Sequence, residues 1–291
     1  MFGRMGRAWR RIAVGTLLFS ILLWVTWHAG VLPDAPSLDE VQTPTDIAAF
    51  AIAIVIVAFG CVAVVVWTLA VLMPGLLASV DLLLLTLLLG LPLATLLSDA
   101  NLPGLAIWVV YMAIFFALDR MIYGTWLSEI LPRNSKTKVT AFEIAEPLGD
   151  VWARLAPLPE NAGRYYWPNA GFRDPPPGSD ADFVMQAPRR WGLKDVQDEI
   201  WIEDLDPGRS VTLRSRPMSK GTAVSERLQL RLWEVGDKTR VELQITFLRP
   251  SIFQRFRIWL SNDVEDFFAS QKNRALGRRD GTVHGRQMRP A

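Results

Sequence analysis

Residues 47–73 carry no charged side chain and consist mainly of Ala, Val, Ile, Leu and Phe. A helix needs roughly 20 apolar residues to cross the hydrocarbon core of a bilayer, so this run is long enough to span with some tilt. In water it would have to be buried on every side. Its neighbours favour lipid. Residues 11–31 form a second apolar run with Trp24 and Trp27 near one end, and residues 76–97 a third with Asp81 near its start. Residues 102–118 form a fourth, bearing Trp108 and Tyr111 and closed by Asp119 and Arg120. Four spans, about 11–31, 47–73, 76–97 and 102–118, are therefore expected within an all-α transmembrane region of residues 1–132.

The loop charges orient these spans. Arg4, Arg7, Arg10 and Arg11 precede the first, whereas 33–45 holds Asp34, Asp39 and Glu40 with no Lys or Arg. The 98–103 loop also lacks Lys and Arg, and Arg120, Arg133, Lys136 and Lys138 follow the last run. Basic loops stay inside, so both termini are expected in the cytoplasm of a multi-pass integral membrane protein of the bacterial inner membrane. A cleavable signal peptide over 1–32 is the competing reading, but its apolar core is long and no clean small-x-small site precedes Pro33. Asp81 is placed at the cytoplasmic mouth of its helix, because no second ionisable group lies deep in any span to pair with it. The helices are read as an anchor, or as a packing surface for a membrane-protein partner, and not as a channel or proton-coupled transporter.

The averages of 51% hydrophobic and 21% charged residues conceal two halves, with most charges after residue 118. A net charge of +2 gives no reason to expect nucleic acid. Cys61 is the single cysteine, which excludes an intrachain disulfide, and His28 and His284 stand far apart, so no metal site is expected. No nucleophile–base pair or phosphate-cradling glycine loop is recognisable, and no cofactor is expected.

Past the basic joint 133–138 the periodicity becomes that of strands. Residues 139–144 alternate; Glu146–Pro147 then opens a helix whose apolar face is Leu148, Val151, Trp152 and Leu155. Residues 163–180 are rich in Gly, Pro and aromatics and read as loop. Segments 195–204, 210–216, 223–233 and 239–248 alternate with period two, joined by the turn sequences DPGR and EVGDK. After Pro250–Ser251 one long helix is expected, with Ile252, Phe253, Phe256, Trp259, Leu260, Val264, Phe267 and Phe268 as its apolar stripe. An antiparallel sheet with one polar face must cover the other, and this helix is its natural cover, an α+β helix-grip arrangement.

The stretches IAEPLGDVWARL, DPGRSVTLRS, TRVELQITF and FQRFRIWL together resemble the START-like, or SRPBCC, superfamily of polyketide cyclases, dehydratases and lipid-transfer proteins. The resemblance covers residues 136–275 and implies a cavity for an apolar molecule between sheet and helix. Residues 276–291 are expected to be a disordered basic tail, able to attract anionic lipid at the membrane surface.

On the strand faces that carry apolar residues, three polar groups stand out. Asp198 shares a face with Val196, Ile200 and Ile202, Ser215 with Val211 and Leu213, and Glu226 with Leu228, Leu230 and Leu232. Asp198, Ser215, Glu226, Leu228, Leu230, Phe256 and Trp259 are therefore the expected ligand-binding residues, with no catalytic residue assigned. The plainer alternative turns both acids to water or pairs them with Arg214, Arg216 or Arg227. Tyr165, Tyr166, Trp167 and Trp191 are candidates for an entrance or wall. The function expected is binding or transfer of a lipid or other hydrophobic small molecule at the cytoplasmic membrane face. A cyclase or dehydratase using Asp198 or Glu226, or a regulatory module for a membrane partner, are the alternatives.

Overall fold

The computed structural model describes residues 2–28, 43–72, 82–83, 85–93, 104–123, 130, 134–189, 195–218, 225–282, 284–285 and 288. The chain divides into two compact units, 2–120 and 121–291.

In the first unit, α1 is Phe2–His28, α2 Pro44–Leu72 and α3 Gly104–Tyr123. The start of α2 is chemically marked. The Thr43 hydroxyl accepts from Asp46 N at 3.2 Å and donates to Asp46 Oδ2 at 2.6 Å, and Pro44 fills the first position, where no N–H is needed. The interior of α2 is rich in β-branched residues, yet it is helical throughout Pro44–Leu72. Ile12, Val62 and Val66 pack α1 on α2, while Ile52, Val55, Ile56, Phe59 and Val64 stay exposed.

Segments Trp9–Thr26 and Thr45–Leu69 are long and apolar enough to cross a membrane; among the described residues two such helices are seen, not four. Of the expected third span only 82–83 and 85–93 are described, as helix, and Asp81 and the Pro74–Gly75 joint lie outside the described residues. The fourth run is helical, but Asp119 and Arg120 leave its uncharged part, 104–118, shorter than a full crossing.

The second unit is built on a seven-stranded antiparallel sheet in the order β1-β7-β6-β5-β4-β3-β2. Its strands are β1 Lys136–Ile144, β2 Gly171–Arg173, β3 Phe183–Ala187, β4 Val196–Asp206, β5 Ser210–Pro217, β6 Glu226–Val235 and β7 Lys238–Phe247. The helix α4, Leu148–Leu155, follows β1, and α5, Ile252–Ser261, and α6, Asp263–Ala275, follow β7. This is the expected helix-grip layout. The strands β2 and β3 fall where irregular chain was expected or where no strand was marked; they are short, β3 pairing with β4 and β2 with β3 at the sheet edge.

Turn chemistry closes the two hairpins as expected. Gly208 takes φ +81° after Pro207, and Gly236 φ +63° opens the two-residue turn between β6 and β7; both conformations penalise a side chain. One face of the sheet holds Val211, Leu213, Leu230, Leu232, Val241, Leu243 and Ile245, packed with Val151, Trp152, Leu155, Ile258, Val264 and Phe268 from the helices. Across the helices, Arg154 Nη1 donates to Ala275 O at 2.6 Å.

The final helix is not continuous. A capping box between Ser251 and Gln254 starts α5, and Asn262, at φ 55°, takes the left-handed conformation that ends it. The acidic residues Asp263, Glu265 and Asp266 then open α6, where negative charge complements the helix dipole. The break changes which residues are covered. Gln254, Ile258, Leu260 and Ser261 are the buried residues of α5, so Ile252, Phe256 and Trp259 on the opposite side are 54%, 37% and 39% exposed.

The segment after α6, expected to be a disordered tail, is tied down wherever it is described. Arg274 Nε donates to Asp280 Oδ2 at 2.9 Å, His284 N to Asp266 Oδ2 at 2.6 Å, and Met288 is buried in a bridge with Arg189. Its basic residues are thus interleaved with anchoring groups that a count of charges does not reveal.

Candidate functional site

The register brings the polar groups of the inner sheet face to one end of it. Asp198 on β4 sits opposite Met185 on β3 and Pro217 on β5, and Ile200 opposite Ser215. Ser215 is in turn opposite Glu226 on β6, and Glu226 opposite Phe247 on β7. Asp198, Ser215 and Glu226 therefore lie on the covered face, as the alternation implies. All three, with Met185, Ile202 and Leu228, keep part of their surface accessible, while Val211, Leu230 and Leu243 further along are fully buried. The inner face is fully buried at one end and partly solvent-accessible at the carboxyl-bearing end.

Burial pushes the Asp198 carboxyl up to about 6, opposed by the charge of Arg189. It pushes Glu226 up to about 7, reinforced by the negative charge of Asp198 and opposed by Arg257. Two acids that titrate near neutrality and feel each other can hold or pass a proton, or orient a polar ligand group.

The arginines offered as alternative partners are engaged elsewhere. On the outer face Arg216 Nη2 donates to Glu199 at 2.7 Å, Arg227 Nε to Glu203 at 2.5 Å, and Arg214 lies 3.7 Å from Glu203. Arg214 also covers the Trp201 ring at 4.4 Å. These side chains alternate with the inner ones, so the strand period that points Asp198 inward points its nearest arginines outward.

The remaining expected site residues divide. Leu228 borders the open end, but Leu230 belongs to the solid core. Phe256 and Trp259 face outward, their rings 5.9 Å apart, because α5 buries its opposite side. Trp191 lies outside the described residues.

A second cluster, not assembled by the sequence reading, lies beside the open end. Tyr165, Tyr166, Trp167, Ala187 and Met288 form a small buried core, with Phe267 packed against it. His284 sits 5.0 Å from the Trp167 ring and 5.2 Å from Phe267, and burial pushes its imidazole down to about 4, so it stays neutral. The Tyr166 hydroxyl adjoins the Gln271 amide, and burial raises it to about 12. The Tyr165–Tyr166–Trp167 run was visible as an aromatic triplet; Gln271 and His284 give no local signal, because each is an isolated residue in a polar stretch. Among the described residues no group of three or more His, Cys, Asp or Glu side chains is placed to hold a metal ion.

No family model matches the chain, and no curated protein matches it. Solved structures align with about half of it. A protein of Arthrobacter aurescens determined by NMR is 13% identical, covering 51% of this chain and 86% of its own, with a TM-score of 0.37. CalU16 of Micromonospora echinospora is 14% identical over 50% of this chain and 78% of its own, at 0.33. Ara h 8.0201 is 10% identical over 50% of this chain and 97% of its own, at 0.37.

Proposed function

We propose that residues 136–288 form a START-like domain that binds a lipid or similar apolar molecule, held at a membrane by the N-terminal helices. The observation that carries this reading is the partly accessible end of the inner sheet face, apolar except for Asp198, Ser215 and Glu226. Ligand sites are concave and mostly apolar, with a few placed polar groups, which is the composition found there. Two helices with the length and composition of membrane spans support anchoring. The proposed topology keeps both termini in the cytoplasm and lets the domain load from the adjacent leaflet. Native mass spectrometry of the full chain extracted from membranes in mild detergent, with solvent extraction of the same sample, tests this. A discrete bound apolar mass is expected; a clean apo mass after incubation with total membrane lipid would sink it.

A second reading, an acid–base enzyme of the cyclase or dehydratase type, is favoured by one observation: burial raises Asp198 and Glu226 toward neutrality on one sheet face, and the charge of Asp198 raises Glu226 further. It requires Asp198→Asn or Glu226→Gln to abolish turnover of a polyketide-like substrate while ligand binding persists. Full activity in both variants would remove these residues from the chemistry.

A further inference from the structure

Three features of the second unit fall at one end of its sheet. The register aligns Lys136, the first residue of β1, with Phe247 on β7, Glu226 on β6 and Ser215 on β5. This row is the partly accessible, carboxyl-bearing end of the inner face. It is also the end at which the chain arrives from the unit that holds the two long apolar helices. Ten residues, 124–133, separate α3 from Asn134, so this entry point can lie at most about 40 Å from Tyr123.

The third feature is α5, which lies across the same end. It starts four residues after β7, and Arg255 Nη2 donates to the Asn134 carbonyl at the entry point. Further along, Arg257 and then Asp263 come near enough to Glu226 to act on its carboxyl. The side of α5 that carries Gln254, Ile258, Leu260 and Ser261 is buried in the domain. The other side presents Ile252, Phe256 and Trp259, spaced four and three residues apart, so they form one exposed stripe. The Phe256 and Trp259 rings are 5.9 Å apart within it.

The charges around the stripe select its partner. Residues 248–262 contain Arg249, Arg255 and Arg257 and no acid. The adjoining joint 133–138 adds Arg133 and Lys136, while its Lys138 is paired with Glu265. Acids begin only at Asp263, past the turn at Asn262, so α6 lacks this character. Bulky apolar groups on one side of a helix, arginines beside them and a tryptophan among them suit the interface plane of an anionic bilayer. A bilayer is also the surface to which the proposed anchor confines this end of the domain.

We propose that α5 docks on an anionic membrane leaflet, with Ile252, Phe256 and Trp259 inserted at the boundary of headgroups and acyl chains, and that this contact turns the carboxyl-bearing end of the inner sheet face toward the lipid. This rests on the anchoring proposed above and assigns the surface that meets the bilayer, which an anchor by itself leaves open.

The test uses the full chain in nanodiscs of phosphatidylcholine and phosphatidylglycerol, one copy per disc. Cys61→Ser removes the native thiol, and Ile252→Cys, Phe256→Cys and Trp259→Cys then carry a nitroxide one at a time. Val235→Cys, at the hairpin that closes the opposite end of the sheet, is the control. Collisions of the nitroxide with oxygen and with a water-soluble nickel complex report its depth. The three stripe positions are expected about 5–10 Å inside the headgroup and acyl boundary, and position 235 in water. The stripe is exposed, so each variant should melt with the Cys61→Ser parent. A water profile at the stripe equal to that at 235 would overturn the docking, and the anchoring would stand if the chain resists alkaline carbonate extraction from membranes. Low collision with both reagents would mean that protein covers the stripe, and would overturn the docking too. A chain released by carbonate would overturn both readings.

Discussion

Arg274 Nε and Asp280 Oδ2 lie 2.9 Å apart and lock the segment after α6 onto the helix it leaves. The same carboxylate accepts from Ser270 Oγ at 2.5 Å and from Thr282 Oγ1 at 2.7 Å. Burial alone would raise this carboxyl, but these donors and the guanidinium outweigh it and hold it below its ordinary value of 3.8. A depressed carboxylate contributes stability that is present above its unfolded value and lost as the pH falls through the folded one. Asp280→Ala should therefore expose the chain beyond 276 to limited proteolysis at neutral pH, and its melting temperature should begin to converge on that of the parent only as the pH falls below about 4. Equal protease resistance at pH 7 would contradict the anchoring.

Glu226 predicts the opposite sign. Its ordinary value of 4.5 rises to about 7 on folding, so the folded state prefers the protonated form. Its contribution is most favourable below the unfolded value and is lost as the pH rises from about 4.5 to about 7. Glu226→Gln is expected to melt higher than the parent at pH 8, by about 1–3 kcal/mol, and equally at pH 4. Thermal melts at the two values check it, and a variant less stable at pH 8 would show that the carboxylate has a partner.

Leu230 and Phe256 lie on equally apolar stripes but should respond differently. Leu230 is 0% exposed between β5 and β7, and Leu230→Ala is expected to cost about 2–5 kcal/mol. Phe256→Ser, on the outward side of α5, is expected to cost less than about 1 kcal/mol. Denaturant midpoints of the two variants measure the difference; equal losses would place Phe256 in the core.

Gly90 packs where a methyl group would collide with the Tyr111 ring of α3. Gly90→Ile should force the helical segment 85–93 from α3 and cost about 1–3 kcal/mol by overpacking. A lower melting temperature in detergent, recovered in part by Tyr111→Ala, is the expected result. If the second substitution rescues nothing, the contact is not what the glycine protects.

The elements written in local chemistry were legible from the sequence. The run 47–73 announces a helix because no water-exposed alternative satisfies so many apolar residues, and Thr43, Pro44 and Asp46 mark its start. The alternation of Val241, Leu243, Ile245 and Phe247 identifies β7 and its buried face, because the strand period is two whatever the strand pairs with. The same parity placed Asp198, Ser215 and Glu226 on one face before any register was known. The break at Asn262 was missed, since an apolar stripe running from 252 to 268 is compatible with one helix; the cap-forming Ser261–Asn262–Asp263 was the available signal.

Tertiary structure alone decided what those elements do to one another. Whether Phe256 and Trp259 are wall or surface depends on which side of α5 meets the sheet, and the turn at Asn262 settles that from outside the stripe. That Glu226 feels the charge of Asp198, although the two stand 28 positions apart in the chain, depends on the register of β4, β5 and β6. The cluster that joins Tyr166, Gln271 and His284 draws on three segments with no shared pattern and forms only when the last segment folds back over α6. Periodicity is a property of neighbouring residues and survives in any context, whereas register, burial and the pairing of distant polar atoms are set by the whole fold's packing.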